Sequence, residues 1–292
     1  MIALDEDWIA DHPLPPPGSD TDKNDRGRVL AVGGSTTVPG ALLLTGEAAL
    51  RAGAGKVQLA TVAPVAIGLG LRFPEAAIYA LDQNSNGELA SISASEIARL
   101  TEACDALVLG PGTGQHADSV DILAEIVRSE TQVPLLLDAA FLRALPPVAR
   151  EVAAYRGPKV LTPHPGEMAT LMDCAPEDIC CELAEAAAAR FGATVVLKSA
   201  RTWIATPGRQ SLLYDHGSPG LATAGSGDVL AGIIGGLLAR DVAPHDAAAW
   251  GVWIHGEAGR KLTADIGLLG FLARDIIPLI PSMLRYSAGS RG

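Results

Sequence analysis

Residues 28–62 read RVLAV-GGSTTVPG-ALLLTGEAALRAGAG-KVQLATV, in which two short aliphatic runs flank an alanine- and leucine-rich stretch. The runs 28–32 and 56–62 are typical of buried strands, and segment 40–52 between them is long enough for a helix. The alternation continues along the chain. Further strands are predicted at residues 76–81, 106–109, 133–137, 159–161 and 194–197. Strands that alternate with helices predict an α/β fold with a mostly parallel sheet covered on both faces.

The rest of the chain fits one domain. Further helices are predicted at residues 94–104, 118–128, 176–191, 228–240, 245–262 and 271–286, and a hairpin at 203–206 and 210–214. We expect residues 1–24 to form an extended N-terminal arm, residues 25–286 a single domain, and residues 287–292 a frayed tail.

Composition excludes several classes of function. Hydrophobic residues make up 48% of the 292 and charged residues 19%, so the chain folds around a real core. The net charge is −11 and no lysine-rich run offsets it, which argues against nucleic-acid binding. The longest apolar stretch, residues 229–239, is too short to cross a bilayer, and residues 1–17 do not resemble a signal peptide. We therefore expect a cytoplasmic protein without a membrane partner.

A glycine-rich loop immediately precedes the predicted helix at 228–240. Its sequence is Leu221-Ala-Thr-Ala-Gly-Ser-Gly-Asp228. Glycines at 225 and 227 allow successive N–H groups to face one ligand, and the helix dipole favours an anion there. Asp228 lies in the first turn, where a base would deprotonate a hydroxyl that attacks a phosphoryl group. The residues alone leave open the alternative that Asp228 only caps the helix.

Other polar loops follow predicted strands, at the edge where open α/β sheets bind ligands. They include Gly33-Gly-Ser35, Gly110-Pro-Gly-Thr-Gly114 and Thr162-Pro-His-Pro-Gly-Glu167. None has the spacing of a dinucleotide fingerprint or a Walker loop. Lys198 ends a strand, where it either meets a polyphosphate or is merely a polar strand end.

The six histidines divide by position in the sequence. His164 lies between two prolines in a stiff loop and is the best placed to meet a ligand, although a structural hydrogen bond to a neighbouring carbonyl is the alternative. We expect His255, in an apolar helix, to be a satisfied core residue. The others are expected at the surface: His12, His116, His216 and His245.

Seven motifs occur in one order along the chain. They are Gly33-Gly-Ser35, Pro39-Gly-Ala41, Arg51-Ala-Gly-Ala-Gly55, Gly110-Pro-Gly-Thr-Gly114, Thr162-Pro-His-Pro-Gly-Glu167, Lys198-Ser-Ala-Arg-Thr202 and Ala222-Thr-Ala-Gly-Ser-Gly-Asp228. From about residue 23 to residue 281 this set closely resembles the ADP- or ATP-dependent NAD(P)H-hydrate dehydratases of the ribokinase-like superfamily. The resemblance implies a ribokinase-like three-layer α/β/α sandwich whose catalytic domain is residues 25–286.

The resemblance also implies an activity, which is the removal of water from the S-epimer of hydrated NADH or NADPH. Phosphorylation by ADP or ATP with Mg²⁺ would turn the ring hydroxyl into a leaving group, and Asp228 would be the catalytic base. The damaged cofactor would contact Ala41, Gly112, Gly114, His164 and Asp228. The nucleotide would contact Lys198, Ser199, Ala200, Arg201, Thr202, Ala224, Gly225, Ser226 and Gly227. The residues that would contact Mg²⁺ are left unknown by the sequence.

The resemblance also implies partner proteins, and the chain departs from the family pattern at three positions. The resemblance suggests a homo-oligomer, a tetramer, and an epimerase on a separate chain. The family usually has Asp-Ala-Asp where this chain has Asp138-Ala-Ala140, so one carboxylate is missing. Ser199 and Ser218 stand where members often have Gly and Asn.

Two other functions remain open from the sequence. A ribokinase-like kinase for a thiazole or pyrimidine alcohol would share the anion loop and the aspartate base. A non-catalytic nucleotide-binding protein would explain the missing carboxylate at Ala140. The His-Pro-Gly-Glu and Gly-Pro-Gly-Thr-Gly loops favour the dehydratase.

Overall fold

A ten-stranded sheet forms the centre of the molecule. The structure, a computed structural model, describes residues 1–18, 20–114, 118–175 and 179–287. The strands are β1 (Ile2–Ala3), β2 (Arg28–Val32), β3 (Lys56–Val62), β4 (Ala77–Leu81), β5 (Ala106–Leu109), β6 (Leu135–Leu137), β7 (Lys159–Leu161), β8 (Thr194–Leu197), β9 (Thr202–Ala205) and β10 (Leu212–Tyr214). Their order is β1-β10-β9-β8-β7-β6-β5-β2-β3-β4, and only β9 runs antiparallel to its neighbours. The prediction of a mostly parallel sheet is confirmed.

Alternation along β2 shows how the sheet builds two cores. Val29 and Ala31 point into one hydrophobic cluster, whereas Leu30 and Val32 point into the other. All four side chains are fully buried, which is the pattern of a parallel strand covered on both faces. The protein is therefore an α/β/α sandwich, as the sequence predicted.

Helices cover both faces of the sheet. They are α1 (Glu6–Asp11), α2 (Ala41–Arg51), α3 (Ala63–Arg72), α4 (Ala94–Thr101), α5 (Asp118–Arg128), α6 (Ala140–Arg143), α7 (Ala149–Ala154), α8 (Pro165–Met172), α9 (Cys181–Phe191), α10 (Ser226–Ala239), α11 (Pro244–Asp265), α12 (Ala273–Ile276) and α13 (Ile280–Met283). The core against α2, α10 and α11 contains many alanines and glycines, so helix backbones lie close together; a Cβ on Gly232 would lie 2.3 Å from the Thr45 carbonyl oxygen. Within the described ranges, no helix is long and apolar enough to span a membrane.

The N-terminal segment corrects one expectation. Residues 2–11 are not an extended arm, because β1 pairs with β10 and α1 follows directly. The buried side chains of Leu4, Trp8 and Ile9 join the core, and the Asp5 side chain accepts the Trp8 N–H to cap α1. Apolar burial therefore outweighs the acidic, proline-rich composition of this segment. Of the predicted tail, residues 288–292 lie outside the described residues.

The C-terminal helix is also shorter than predicted. In place of one helix at 271–286, α12 ends at Ile276, a 3₁₀ turn covers Ile277–Leu279, and α13 ends at Met283. Pro278 and Pro281 cause the interruption, because proline lacks the N–H that a continuous helix needs. The segment still packs on α10 and α11.

The parallel topology brings several chain segments to one edge. The carboxyl ends of β5, β6, β7 and β8 lead into Gly110, Asp138, Thr162 and Lys198. The hydroxyl of Thr45, in the second turn of α2, donates to the carbonyl of Asp228 at 3.1 Å, so the amino-terminal parts of α2 and α10 meet at the same edge. This carboxyl edge collects the loops that the sequence analysis singled out.

Candidate active site at the carboxyl edge of the sheet

The start of α10 is a turn that only glycine fits. Gly225, the residue before the helix, has φ +88°, and a Cβ there would lie 2.6 Å from Leu44 Cδ1. Gly225 has no side chain with which to cap the helix, and Asp228 is its third residue. The capping alternative for Asp228 is therefore wrong, and the helix begins two residues earlier than predicted.

Asp228 is a carboxyl group poised to exchange a proton near neutrality. Burial raises its pKa to about 7, and the nearby Asp138 carboxylate acts in the same direction. Lys198 and the N–H of Gly112 oppose the rise by stabilising the charged form. A carboxyl group with this pKa is half ionised at pH 7 and can accept a proton from a substrate hydroxyl.

Lys198 links the sheet to the anion loop. Its Nζ lies 2.8 Å from Oδ1 of the buried Asp138, and the Thr162 hydroxyl donates to the same oxygen at 2.8 Å. Burial alone would lower the pKa of Lys198, but the carboxylates of Asp138, Glu167 and Asp228 outweigh it and raise the pKa. A Cβ on Gly227 would lie 3.6 Å from Nζ, so the ammonium lies directly beside the start of α10.

A cavity of about 700 Å³, the Lys198 cavity, opens beside these groups. Seven residues that the sequence analysis assigned to a ligand line it: His164, Lys198, Ser199, Ala200, Thr202, Ser226 and Gly227. Arg201 is half exposed and pairs with Asp215 at 3.2 Å, and Ala224 is exposed. The ammonium, the helix start and the hydroxyls give this cavity the character of a site for a phosphate-bearing ligand.

His164 has a structural role that the sequence did not resolve. Its Nδ1 accepts the N–H groups of Gly166 and Glu167 at 3.0 and 3.3 Å, and Glu167 returns a bond to the His164 N–H at 2.9 Å. This reciprocal pair caps α8. The ring bonds backbone N–H groups instead of a carbonyl, and it borders the cavity that Lys198 also lines.

Of the loops predicted to hold the damaged cofactor, the one at Gly112 contacts Asp228, because the Gly112 N–H donates to that carboxylate. A Cβ on Gly112, whose φ is +70°, would lie 2.5 Å from Cβ of Ala41, so this loop packs directly on the start of α2. The Gly114 N–H donates to both carboxylate oxygens of Glu88 at 3.1 Å. The residues that line the 700 Å³ cavity in the described part of the chain do not include Ala41, Gly112 or Gly114.

The departures from the family pattern are accommodated locally. Ser199 Oγ accepts the Arg201 N–H at 3.2 Å within a turn. Ser218 Oγ lies 2.5 Å from the Thr263 hydroxyl oxygen and accepts the Gly220 N–H at 3.3 Å. Ala140 is buried at the start of α6. The residue before it, Ala139, has φ 51° and ψ −125°, a conformation that L-residues rarely adopt.

Two histidines differ from their expected roles. His255 Nε2 lies 2.8 Å from Oγ of Ser226, and the His255 side chain lines the cavity, so it is more than a core residue. His245 was expected at the surface but is buried, with Nδ1 2.9 Å from the Thr206 hydroxyl oxygen. His116 lies outside the described residues. No local pattern links His255 to Ser226, since only the packing of α11 on α10 brings them together.

Comparisons with known proteins agree with this geometry. A profile of the NAD(P)H-hydrate dehydratase family matches residues 29–282. The ADP-dependent (S)-NAD(P)H-hydrate dehydratase of Xanthomonas campestris is 45% identical over 93% of this chain and 92% of its own length. A bifunctional NAD(P)H-hydrate repair enzyme of Thermofilum pendens is 36% identical over 94% of this chain, which spans 52% of that protein.

A solved structure shares the whole architecture. The ADP/ATP-dependent NAD(P)H-hydrate dehydratase of Bacillus subtilis, co-crystallised with ATP and Mg²⁺, superimposes with a TM-score of 0.81 at 27% identity over 97% of both chains. These similarities favour neither the alcohol kinase nor the non-catalytic binding protein that the sequence had left open. The chain therefore belongs to the NAD(P)H-hydrate dehydratase family of ribokinase-like enzymes.

Proposed function

We propose that this enzyme removes water from the S-epimer of hydrated NADH or NADPH at the expense of ADP or ATP. The observation that carries the proposal is Asp228, whose pKa is raised to about 7 and whose carboxylate accepts the Gly112 N–H and interacts with the charge of Lys198. A base in that place can serve two reactants, one on each side. The names of the relatives supply the reaction type.

The reaction couples phosphoryl transfer to elimination. Asp228 takes the proton of the ring hydroxyl as the oxygen attacks the terminal phosphorus, and the nucleotide leaves one phosphate shorter. The C–O bond of the phosphorylated ring then breaks, the ring nitrogen supplies the electron pair, and inorganic phosphate departs. A proton lost from the neighbouring ring carbon restores the dihydronicotinamide. ATP thus yields ADP and phosphate, and ADP yields AMP and phosphate.

We assign the nucleotide to the Lys198 cavity. There Lys198 to Thr202 and the N–H groups of Ala224, Gly225 and Gly227 would face the phosphates, with the partly buried ammonium of Lys198 as the positive charge. Ala41, Gly112, Gly114 and His164 would contact the damaged cofactor. His164 borders the nucleotide cavity, so it would lie where the two reactants meet.

Mg²⁺ fits this site only as a partner of the nucleotide phosphates. Among the described residues no cluster of three or more His, Cys, Asp or Glu side chains is arranged to hold a metal ion. Asp138 Oδ1 already accepts from Lys198 and Thr162, which leaves Glu167 and Asp228 as acidic neighbours of the ammonium. Mg²⁺ commonly binds through one or two carboxylates plus substrate phosphates. When bound, it would offset the charge of the transferring phosphoryl group.

The test is an absorbance assay. Purified protein is incubated with S-hydrated NADH or NADPH, Mg²⁺ and either ADP or ATP, and recovery of the reduced-nicotinamide absorbance is followed. We expect recovery that requires both nucleotide and Mg²⁺, with one phosphate released per ring restored. Nucleotide consumption without recovery of absorbance would point to a kinase and overturn the proposal, as would tight nucleotide binding without turnover.

We also propose two partners, an epimerase and further copies of this chain. The relative from Thermofilum pendens is named a bifunctional repair enzyme, and this chain matches about half of it. An epimerase that converts the R-hydrate into the S-hydrate would supply further substrate to this enzyme. A mixture of R- and S-hydrates should be repaired only in part until such an epimerase is added. The homo-tetramer remains a prediction, which light scattering of the purified protein would test. The cytoplasmic location likewise remains a prediction.

A further inference from the structure

The first turn of α10 contains one anchor between two glycines. Ser226 stands between Gly225 and Gly227, neither of which has a side chain to hold the turn in place. The Ser226 residue is buried, and its hydroxyl oxygen lies 2.8 Å from Nε2 of His255 on α11. The same Nε2 lies 3.1 Å from the Ser226 carbonyl oxygen. Because a carbonyl oxygen only accepts, the Nε2–H of His255 donates to the Ser226 backbone and shares its proton with the Ser226 hydroxyl, the only side-chain group in the Gly-Ser-Gly turn.

A second contact holds the same turn from the opposite side. The Thr45 hydroxyl of α2 donates to the Asp228 carbonyl at 3.1 Å. The turn that carries the Gly227 N–H and the Asp228 carboxylate thus lies between hydrogen bonds from α2 and α11. Since Asp228 is two residues from Ser226, a shift of the serine would move the carboxylate relative to the transferring phosphoryl group.

Charge and location favour a positioning role for His255. Burial lowers its pKa to about 4, and the positive charge of Lys198 acts in the same direction, so the ring is neutral near pH 7. A neutral ring with Nε2 on Ser226 can orient a group without exchanging its own proton. His255 also lines the nucleotide cavity, which places its hydrogen bond beside the reacting groups.

We propose that His255 is a positioning residue for phosphoryl transfer, which acts through Ser226 to hold the Asp228 carboxylate and the Gly227 N–H in the reacting geometry. This inference rests on the proposed dehydratase function. Displacement of a reacting group by about 1 Å commonly costs about 100-fold in rate, so loss of the bond should lower kcat. It should change the KM for nucleotide much less, because Lys198 keeps its own contacts.

The experiment compares side chains that differ in where they place a nitrogen. In His255→Gln the amide nitrogen can occupy the Nε2 position and reach Ser226, whereas in His255→Asn it corresponds to Nδ1 and falls short. His255→Ala removes both. The control is His245→Ala, on the same helix, which loses a bond to Thr206 far along α11 from the cavity. Each variant is assayed for dehydration with ATP and Mg²⁺ and for its melting temperature.

We expect His255→Asn and His255→Ala to lose about 10- to 100-fold in kcat. The KM for ATP should stay within about threefold in both, since Lys198 and its phosphate contacts are unchanged. His255→Gln should stay within about threefold of the parent, which is rescue by the side chain that restores the bond. His245→Ala should melt at a lower temperature and keep its kcat.

Three results would overturn the inference. Equal rates for the Gln and Asn variants would show that the bond to Ser226 is immaterial, and this comparison remains decisive if His255→Ala does not fold. A raised KM with unchanged kcat would make His255 a direct nucleotide contact. A lower melting temperature with full kcat would make it structural. These three results are read only when the unmutated protein is active. An inactive unmutated protein would instead overturn the proposed function and, with it, this inference.

Discussion

The two glycine-rich segments beside Asp228, the turn at residues 225–227 near Lys198 and the loop at Gly112, differ in what their glycines allow to approach the backbone. On the Lys198 side, Gly227 lines an open cavity of about 700 Å³, and Gly225 forms the turn that starts the helix. On the Gly112 side, the loop packs on Ala41, and the Gly114 N–H is occupied by the Glu88 carboxylate. One loop borders an open cavity beside the partly buried Lys198 ammonium, and the other packs against neighbouring segments of the protein.

The difference shows that similar glycine-rich sequences have different physical roles. Gly227 allows a ligand to approach the helix start, whereas Gly112 allows one loop to approach another, since a Cβ there would lie 2.5 Å from Cβ of Ala41. Both patterns indicate close backbone approach, and neither says what approaches. The cavity where we propose that the nucleotide binds is open in this structure, and four predictions test the contrast between the two sides.

The largest effect on kcat is expected from a change at Asp228. Asp228→Asn cannot accept a proton, so kcat should fall about 10²- to 10⁴-fold. The melting-temperature shift caused by ATP with Mg²⁺ should remain, because the Lys198 cavity is unchanged. The control is Asp246→Asn, which changes an acidic residue in the first turn of α11. Substantial turnover in Asp228→Asn would require a different base.

The pH dependence of the rate should follow the same carboxyl group. Its pKa is raised from 3.8 to about 7, so kcat/KM should rise about tenfold per pH unit below pH 7 and level off above it. Between pH 4 and pH 7 the native state holds a proton that the unfolded chain releases. Asp228 therefore makes the free energy of unfolding decrease as pH rises through that window. Asp228→Asn should lack both effects, and a flat rate profile in the parent from pH 5.5 to 8 would contradict this prediction.

The two glycines should respond in opposite ways to an added methyl group. Gly227 lies inside a helix, so Gly227→Ala should not lower the melting temperature. The added methyl group would point toward Lys198 and should weaken ADP binding about tenfold, which is about 1.4 kcal/mol of binding free energy. Gly112→Ala should cost about 1–3 kcal/mol of stability and leave ADP affinity within about threefold. Calorimetric titration and thermal melting separate the two outcomes. Unchanged ADP affinity in Gly227→Ala would remove the phosphate from this turn.

The smallest effect is expected beside Asp138. Ala139 has φ 51° and ψ −125°, which costs an L-residue about 1–3 kcal/mol, and glycine would relieve this strain while adding unfolded-state entropy. Ala139→Gly should therefore stabilise the protein by up to about 1 kcal/mol in chemical denaturation. The neighbouring change Ala140→Gly, inside α6, should destabilise it by about 1 kcal/mol. Equal losses in both variants would show that residue 139 is not strained.

Most of the sheet could be predicted because each strand is a short aliphatic run. β2, β3, β5, β7 and β8 begin and end at the predicted residues. The errors lie where long-range burial competes with local composition. The segment at 2–11 folds because Trp8 and Ile9 reach the core, and His245 is buried because Thr206 provides a partner for its ring.

The sequence by itself determined the succession of strands β2 to β10 along the chain, the resemblance to the family and the place of Asp228 in the first turn of a glycine-led helix. The strands and the place of Asp228 follow from residue spacing, which is local information, whereas the family follows from the resemblance carried by seven ordered motifs. Only the tertiary structure decided that Asp228 has a pKa near 7, because burial and the nearby Asp138 raise the pKa while Lys198 and the Gly112 N–H oppose the rise. It likewise decided that His255 meets Ser226. Burial and electrostatic interaction depend on distance in space, which spacing along the chain does not determine.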